Sequence, residues 1–354
     1  MHINLRRSVI AGASIAAVVI AMIAPGAQAS ARVQTVDYNA TSRAQYDAMW
    51  NYLYGPLDNA TETVGRDGVF TTSDVPFKTG TDFSVYDHLK NMSVSDRTFP
   101  APGNGTVTFS VDVKASTPGA VAGHVVHGQY GPPGSYDPLN HKAIPYEQPT
   151  LEEQQAAVVF NMIDFCTGQL FDWFLSSHYA MPLIERLPTA VTANTTNPGC
   201  VGASDVGLDK AYTQIIKNIR ITPGRTHSVA ISYSQAGRSS SVSYLFDGRV
   251  IARVHNVGIP LDKQHTKFSG TYPSLGNGEA LAGKIGPFVI GHGLFSLLDA
   301  FPFQLGCTAP TADGPGVCDP ADARYSVSIP PSQRAFGQGA VGSFSHFQVV
   351  TTTR

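Results

Sequence analysis

The sequence predicts an all-β fold, an antiparallel β-sandwich with long loops and one or two short helices, on three observations. Between His227 and Val254, Val229, Ile231 and Tyr233 alternate with polar residues, and so do Val242, Tyr244 and Phe246. A period of two buries one face of a strand and leaves the other wet. Asp247-Gly248 then supplies the positive φ angles of a tight type I′ turn, and Arg249 to Val254 runs back, so this stretch reads strand, strand, turn, strand. Finally, the 354 residues include 34 Gly and 24 Pro. Such a composition suits many turns between short strands rather than long helices.

The remaining elements follow in chain order. Tyr46, Met49, Trp50 and Leu53 recur at helical spacing, with Ser42 as a cap and Gly55-Pro56 as a stop, which predicts one short amphipathic helix. Thr106 to Lys114 is a strand with Val107, Phe109, Val111 and Val113 on one side. Residues 128–149 form a loop containing GPPG and three further prolines, and Thr150 with Glu153 offers a capping box for a helical turn. Val158 to Phe165 is β-branched and apolar, as a strand is. Residues 189–207 form another loop. Leu208 to Ile221 is ambiguous, because Leu208, Tyr212, Ile215, Ile216 and Ile219 fit a helix while the isoleucine-rich half fits a strand. Ile285 to Leu298 holds a strand interrupted by Gly291 and Gly293, and Gly342 to Val350 is the closing strand.

Residues 1–29 read as a secretory signal. Arg6 and Arg7 form the basic start, Val9 to Ile23 the apolar run, and Ala27-Gln28-Ala29 the cleavage site. The apolar run includes Gly12 and Ser14 and is shorter than the ~20 residues that a spanning helix needs. No later segment of the mature chain is apolar enough to span a bilayer, so the protein is expected to be secreted, to the extracellular space or the cell envelope. The signal carries two arginines and no acid, which leaves 22 bases against 26 acids. That balance favours neither nucleic acid nor an anionic membrane as partner. Three parts are expected: the signal at 1–29, an N-terminal segment with the short helix wrapping the fold at 30–105, and the sandwich at 106–354.

Cys166, Cys200, Cys307 and Cys318 make an even set in an exported chain, which implies two disulfides with three possible connectivities. Cys307 and Cys318 bracket a Pro- and Gly-rich loop, so local pairing there would leave Cys166 with Cys200. Zinc is disfavoured, since no close CxxC pair or adjacent His completes a site. Asp313, Asp319 and Asp322 around Cys318 could bind calcium but do not follow EF-hand spacing, so no metal site is assigned and no cofactor is expected.

The arrangement HSVAISYS…SYLFDGRVIARV, with the final GSFSHFQVV, resembles the concanavalin A-like jelly roll, a superfamily of laminarinase-type glycoside hydrolases and sugar-binding domains. YDHLKNMSVSDRTFP, MIDFCTGQLFDWF, LIERLP and GHGLFSLLDAF resemble a family of secreted bacterial proteins of unknown function, over roughly residues 83–350. The resemblance implies a jelly roll with carbohydrate as the ligand class. Laminarinase-type enzymes string their acids as Glu-x-Asp-x-(x)-Glu along one strand, and this sequence has no such string.

The candidate chemistry lies in Met162 to Phe174. If Thr167-Gly168-Gln169 is a three-residue hairpin loop, Asp164 sits across from Asp172, and two carboxylates ~4.5–5.5 Å apart at Cβ share a site. Like charges so close push one pKa upward, leaving a proton donor and an ionised partner. A two-residue loop puts the two aspartates on opposite faces instead. Glu185 is the third candidate acid. Trp173 and Tyr179 are of the type that stacks on sugar rings, although Trp173 alternates with Phe171 and Leu175 as a core residue does. His292 lies between two glycines that would let a ligand approach. The sequence contains no phosphate loop, GxSxG elbow or HExxH. The functional expectation is a glycan-active enzyme using Asp164 and Asp172 or Glu185 as the acid and base. The rivals are a non-catalytic glycan-binding or envelope protein, and a biosynthetic catalyst acting on an apolar small molecule.

Overall fold

The computed structural model describes residues 31–54, 61–66, 70–73, 89–130, 135–137, 142–144, 147–155, 157–187, 200, 206–269, 274, 276–295, 327–328 and 339–353. The expected signal at 1–29, Cys307, Cys318, Asp313, Asp319 and Asp322 lie outside them.

Two large antiparallel sheets form the sandwich. The first contains β1 (Arg32–Asp37), β3 (Thr61–Val64), β4 (Phe70–Ser73), β6 (Asn104–Ser116), β16 (Thr226–Ala236), β17 (Ser239–Phe246), β18 (Arg249–His255) and β21 (Val341–Thr353). They run in the order β18-β17-β16-β6-β21-β4-β3, with β1 on β21. The second contains β2 (Trp50–Tyr54), β5 (Leu89–Ser95), β11 (Ala157–Asp164), β12 (Gln169–Leu175), β13 (Tyr179–Arg186), β14 (Tyr212–Ile215), β15 (Ile219–Arg220) and β19 (Val289–Phe295). Their order is β14-β13-β12-β11-β19-β5-β2, with β15 on β13. Smaller pairings join β7 (Val125–Tyr130) to β10 (Glu147–Leu151) and β20 (Val327–Ser328), and β8 (Ser135–Asp137) to β9 (Lys142–Ile144).

The alternation that announces the first sheet is obeyed residue by residue. Val107, Phe109, Val111 and Val113 of β6 point inward beside Val229, Ile231 and Tyr233 of β16. Asp247 and Gly248 adopt φ of +46° and +75°, the left-handed pair that the hairpin requires. The Asp247 carboxylate accepts from the Ser228 N–H at 3.0 Å, and its other oxygen meets His227 Nδ1 at the same distance. Phe160, Met162, Phe171 and Trp173 of the second sheet close the core from the other side. Two polar tips also tie the layers together: the Trp173 indole donates to Ala230 O at 3.1 Å and the Tyr244 hydroxyl to Leu183 O at 2.6 Å.

The second sheet is buried on both faces. Its inner face belongs to the inter-sheet core, and its outer face carries a separate apolar cluster that includes Val94, Val159, Phe174, Met181, Leu183 and Ile215. That is why β11, β12 and β13 read as nearly continuous apolar runs.

Several expectations change. The helix α1 (Arg43–Met49) starts on Ser42 as predicted but ends before Trp50. Trp50 to Tyr54 forms β2 against β5 instead, which packs Trp50 against Tyr38, His292 and Phe347. Residues before Thr106 show few alternating runs, yet β1, β3 and β4 extend the first sheet and β2 and β5 the second. That segment is built into the sandwich rather than wrapped around it. Backbone pairing to β21 and β19 sets these short strands, and β1 fully buries none of its side chains, with Val36 only partly buried against the core. Leu208 to Ile221 resolves into a 3₁₀ turn followed by β14 and β15. Gly291 and Gly293 lie within a continuous β19.

Candidate active site

The connection between β11 and β12 is Phe165-Cys166-Thr167-Gly168, with Asp164 paired to Gln169. This four-residue loop shifts the register away from the expected one. Asp172 sits across from Asn161, on the outer face, whereas Asp164 lies on the opposite, inward side. The two aspartates do not share a site. Asp164 instead fastens its own turn, accepting from Cys166 N–H at 2.9 Å, Thr167 Oγ1 at 2.5 Å and Gly286 N–H at 2.9 Å. Burial raises its pKa and those donors pull it back.

The pairing that does occur is Asp172 with Glu185. On the facing strand Leu183 stands opposite Asp172 and Glu185 stands opposite Leu170, so the acids are diagonal neighbours on one face. Such neighbours lie ~7–8 Å apart, with their Cβ atoms somewhat closer. Asp172 is 1% exposed and Glu185 7%. Among the described residues no cation pairs with either. Asn161 Nδ2 donates to Asp172 Oδ1 at 2.5 Å, and Thr213 Oγ1 donates to Glu185 Oε2 at 2.9 Å. Burial, and then the charge of Glu185, push Asp172 well above the usual carboxylate range against the Asn161 hydrogen bond. Burial pushes Glu185 up to about 7 against the Thr213 hydroxyl. Environments of this kind keep a carboxyl group protonated near neutral pH.

The flanking strand leaves room for this arrangement. Gly291 faces Asn161 across the ladder, and a Cβ there would lie 3.1 Å from the Asn161 Cβ and Oδ1. Asn161 and Thr213 escape a search for catalytic residues because neither is a charged candidate. The legible signal was a single polar residue in an apolar strand, as in AVVFNMID and QLFDWFL.

The other candidates fall elsewhere. Trp173 is fully buried between the sheets and offers no stacking face. His292 also points into that core, because Gly291 and Gly293 take the outer positions of β19. Its Nε2 lies 2.7 Å from the Tyr46 hydroxyl, and burial lowers its pKa to about 4. Tyr179 shares the face of Glu185, but it lies six residues away along β13, about 20 Å at strand spacing, beneath the Arg220 guanidinium. Cys166 and Cys200 form a disulfide, with Cα atoms 5.1 Å apart. Among the described residues no cluster of three or more His, Cys, Asp and Glu is placed to hold a metal ion, and no helix is long and apolar enough to cross a membrane.

A family of unknown function, DUF6081, matches residues 135–353, more than half of the chain. The chain belongs to that family. DUF6081 membership agrees with the resemblance carried by MIDFCTGQLFDWF, LIERLP and GHGLFSLLDAF, all of which fall inside the match. No curated protein matches the chain. Similar solved structures include the endo-1,3-beta-glucanase from Streptomyces sioyaensis, with 10% identity, a TM-score of 0.37, and coverage of 94% of this chain and 100% of that one. The alginate lyase from Klebsiella pneumoniae has 9% identity and a TM-score of 0.30, covering 81% of this chain and 83% of that one. Winged bean acidic lectin has 10% identity and a TM-score of 0.30, covering 91% and 99%. None of the three says anything of the activity of this DUF6081 chain.

Proposed function

We propose that this protein is a secreted acid–base catalyst acting on carbohydrate, with Asp172 and Glu185 as its working pair. The observation that carries the reading is the pair itself: two buried carboxyl groups on one face, with no cation among the described residues to neutralise them and both titrations pushed upward. A fold gains nothing from such an arrangement, since a buried charge without a partner is destabilising. Cleaving a glycosidic bond needs this combination, one group that still holds a proton and one that can accept it. Carbohydrate as substrate follows from the resemblance of HSVAISYS…SYLFDGRVIARV to the jelly-roll enzymes and lectins.

The test is reducing-end release from a panel of β-glucans and uronate polysaccharides. Asp172→Asn and Glu185→Gln are each expected to lower turnover by ~10²–10⁴-fold, with circular dichroism unchanged. Full turnover in both variants would remove the pair from the mechanism.

One observation favours a second reading. Val159, Phe174, Met181 and Leu183 wall the pair on the outer face, and an apolar wall suits a small apolar reactant. Activity on hydrophobic small molecules, with no glycan turned over, would select it.

A further inference from the structure

Asp164 and Asp172 are both buried aspartates of adjoining strands, yet their surroundings differ in kind. Both oxygens of Asp164 are engaged, Oδ1 by the Cys166 N–H and Oδ2 by the Thr167 hydroxyl and the Gly286 N–H. Asp172 has one donor, Asn161 Nδ2 to Oδ1, and its Oδ2 is buried with no hydrogen-bond partner among the described residues. Around it stand Leu170 and Phe174 on its own strand and Leu183 across from it. The titratable groups that face it are Glu185, a second acid, and Tyr244, whose hydroxyl donates to Leu183 O. A carboxylate with a bare oxygen in such a wall is strongly disfavoured, and a protonated one far less so.

We propose that Asp172 rests as a neutral carboxylic acid at neutral pH with its proton on Oδ2, and that Asn161 is the positioning residue that selects this oxygen. By donating to Oδ1, the amide reserves that atom as acceptor, and the proton goes to the other. Glu185 accepts from Thr213 and is the less buried of the two, so it is the first to ionise. The catalytic consequence rests on the acid–base reading above. Asp172 gives its Oδ2 proton to the leaving oxygen as the bond to that oxygen breaks, and Glu185 takes a proton from the water that attacks. Return of one proton from Glu185 to Asp172 restores the resting state, and the net change is addition of one water.

Infrared spectroscopy of the full chain reads this proton without any substrate. At pH 7 the wild type should show the C=O stretch of protonated carboxyl groups, shifted in D₂O; Asp172→Asn should remove the Asp172 component and leave that of Glu185, whose pKa is about 7, while Asp164→Asn retains both. Absence of the band at pH 7, or an unchanged band in Asp172→Asn, would overturn the proposal. Should Asp172→Asn not fold, Glu185→Gln decides: with the negative neighbour gone the band should titrate away at lower pH, and an unmoved titration overturns the proposal. Asn161→Leu should keep the band but move its frequency, because the hydrogen bond to the C=O is lost. An unmoved frequency removes Asn161 from the positioning role. A band without turnover on any substrate rejects the catalytic reading alone, and turnover without the band rejects this one alone.

Discussion

Asp172 and Glu185 occupy diagonal positions on β12 and β13 with only Asn161 and Thr213, among the described residues, as hydrogen-bond donors to their carboxyl groups. That relationship fixes the sign of a pH dependence. Glu185 has a folded pKa raised from 4.5 to about 7. Between those values the unfolded chain has lost a proton that the folded chain still holds. This contribution to stability is therefore complete below pH 4.5 and is lost as pH rises through about 7. A tenfold difference in acidity between the folded and unfolded states is worth about 1.4 kcal/mol, so roughly 3 kcal/mol should disappear across the window. His292, lowered from 6.5 to about 4, works in the opposite sense and loses its contribution as pH falls. Urea denaturation of the wild type and Glu185→Gln at matched pH cancels the histidine. The stability of Glu185→Gln relative to wild type should climb from pH 4.5 to 7, and a flat difference would contradict the raised pKa.

Asp164 is expected to be a stability residue. Its carboxylate satisfies two backbone N–H groups and one hydroxyl at the β11–β12 turn. Asp164→Ala strands those donors, and a buried unsatisfied group costs ~1–3 kcal/mol. A loss of ~2–4 kcal/mol by chemical denaturation is expected, with turnover per folded molecule retained. Loss of turnover at unchanged stability would return Asp164 to the chemistry.

Legibility in the sequence divides along physical lines. Alternation in β6, β16 and β17, together with the Asp247-Gly248 turn, made the first sheet readable, because each strand has one wet face. The second sheet was harder. Both of its faces are buried, so apolar runs in β11 to β13 hide which side a residue takes. The register of β11 on β12 then depended on a loop length, and one extra residue in that loop moved Asp164 to the other face from Asp172. Glu185 was visible as a candidate, but its partnership with Asp172 came from the pairing of β12 with β13. Trp173 and His292 show the converse: stacking and ligand-contact residue types placed in a core, where Trp173 follows the alternation of its strand.

Gly291 should matter to the site more than to the fold. Its φ is not in the left-handed region, so alanine meets no backbone strain. The added Cβ would approach the Asn161 Cβ and Oδ1 at 3.1 Å and Ile163 Cδ1 at 3.3 Å. Overpacking of that size costs ~1–3 kcal/mol, and Asn161 must move to relieve it. Gly291→Ala should therefore fold with a modest loss of stability and lower turnover by at least ~10-fold, the effect of ~1.4 kcal/mol on a barrier. Unchanged turnover in a crystal-verified variant with Asn161 displaced would show that the Asn161–Asp172 bond is dispensable.

The Cys166–Cys200 bridge closes a loop separated by 34 residues, and Cys166 sits two residues from Asp164. In the chain-entropy account, closing such a loop removes about 3–4 kcal/mol of unfolded-state freedom. Cys200 also packs against the outer-face cluster that surrounds Glu185. Two effects should then separate on replacing Cys200 with serine. Denaturant midpoints should fall by an amount equivalent to ~3 kcal/mol, and adding reductant to the wild type should reproduce the shift. The Asp172–Glu185 geometry is held by the β12–β13 ladder, not by the bridge, so turnover of folded Cys200→Ser at low temperature should stay within a few-fold of wild type. A collapse of turnover without the stability loss would mean that the bridge organises the site directly.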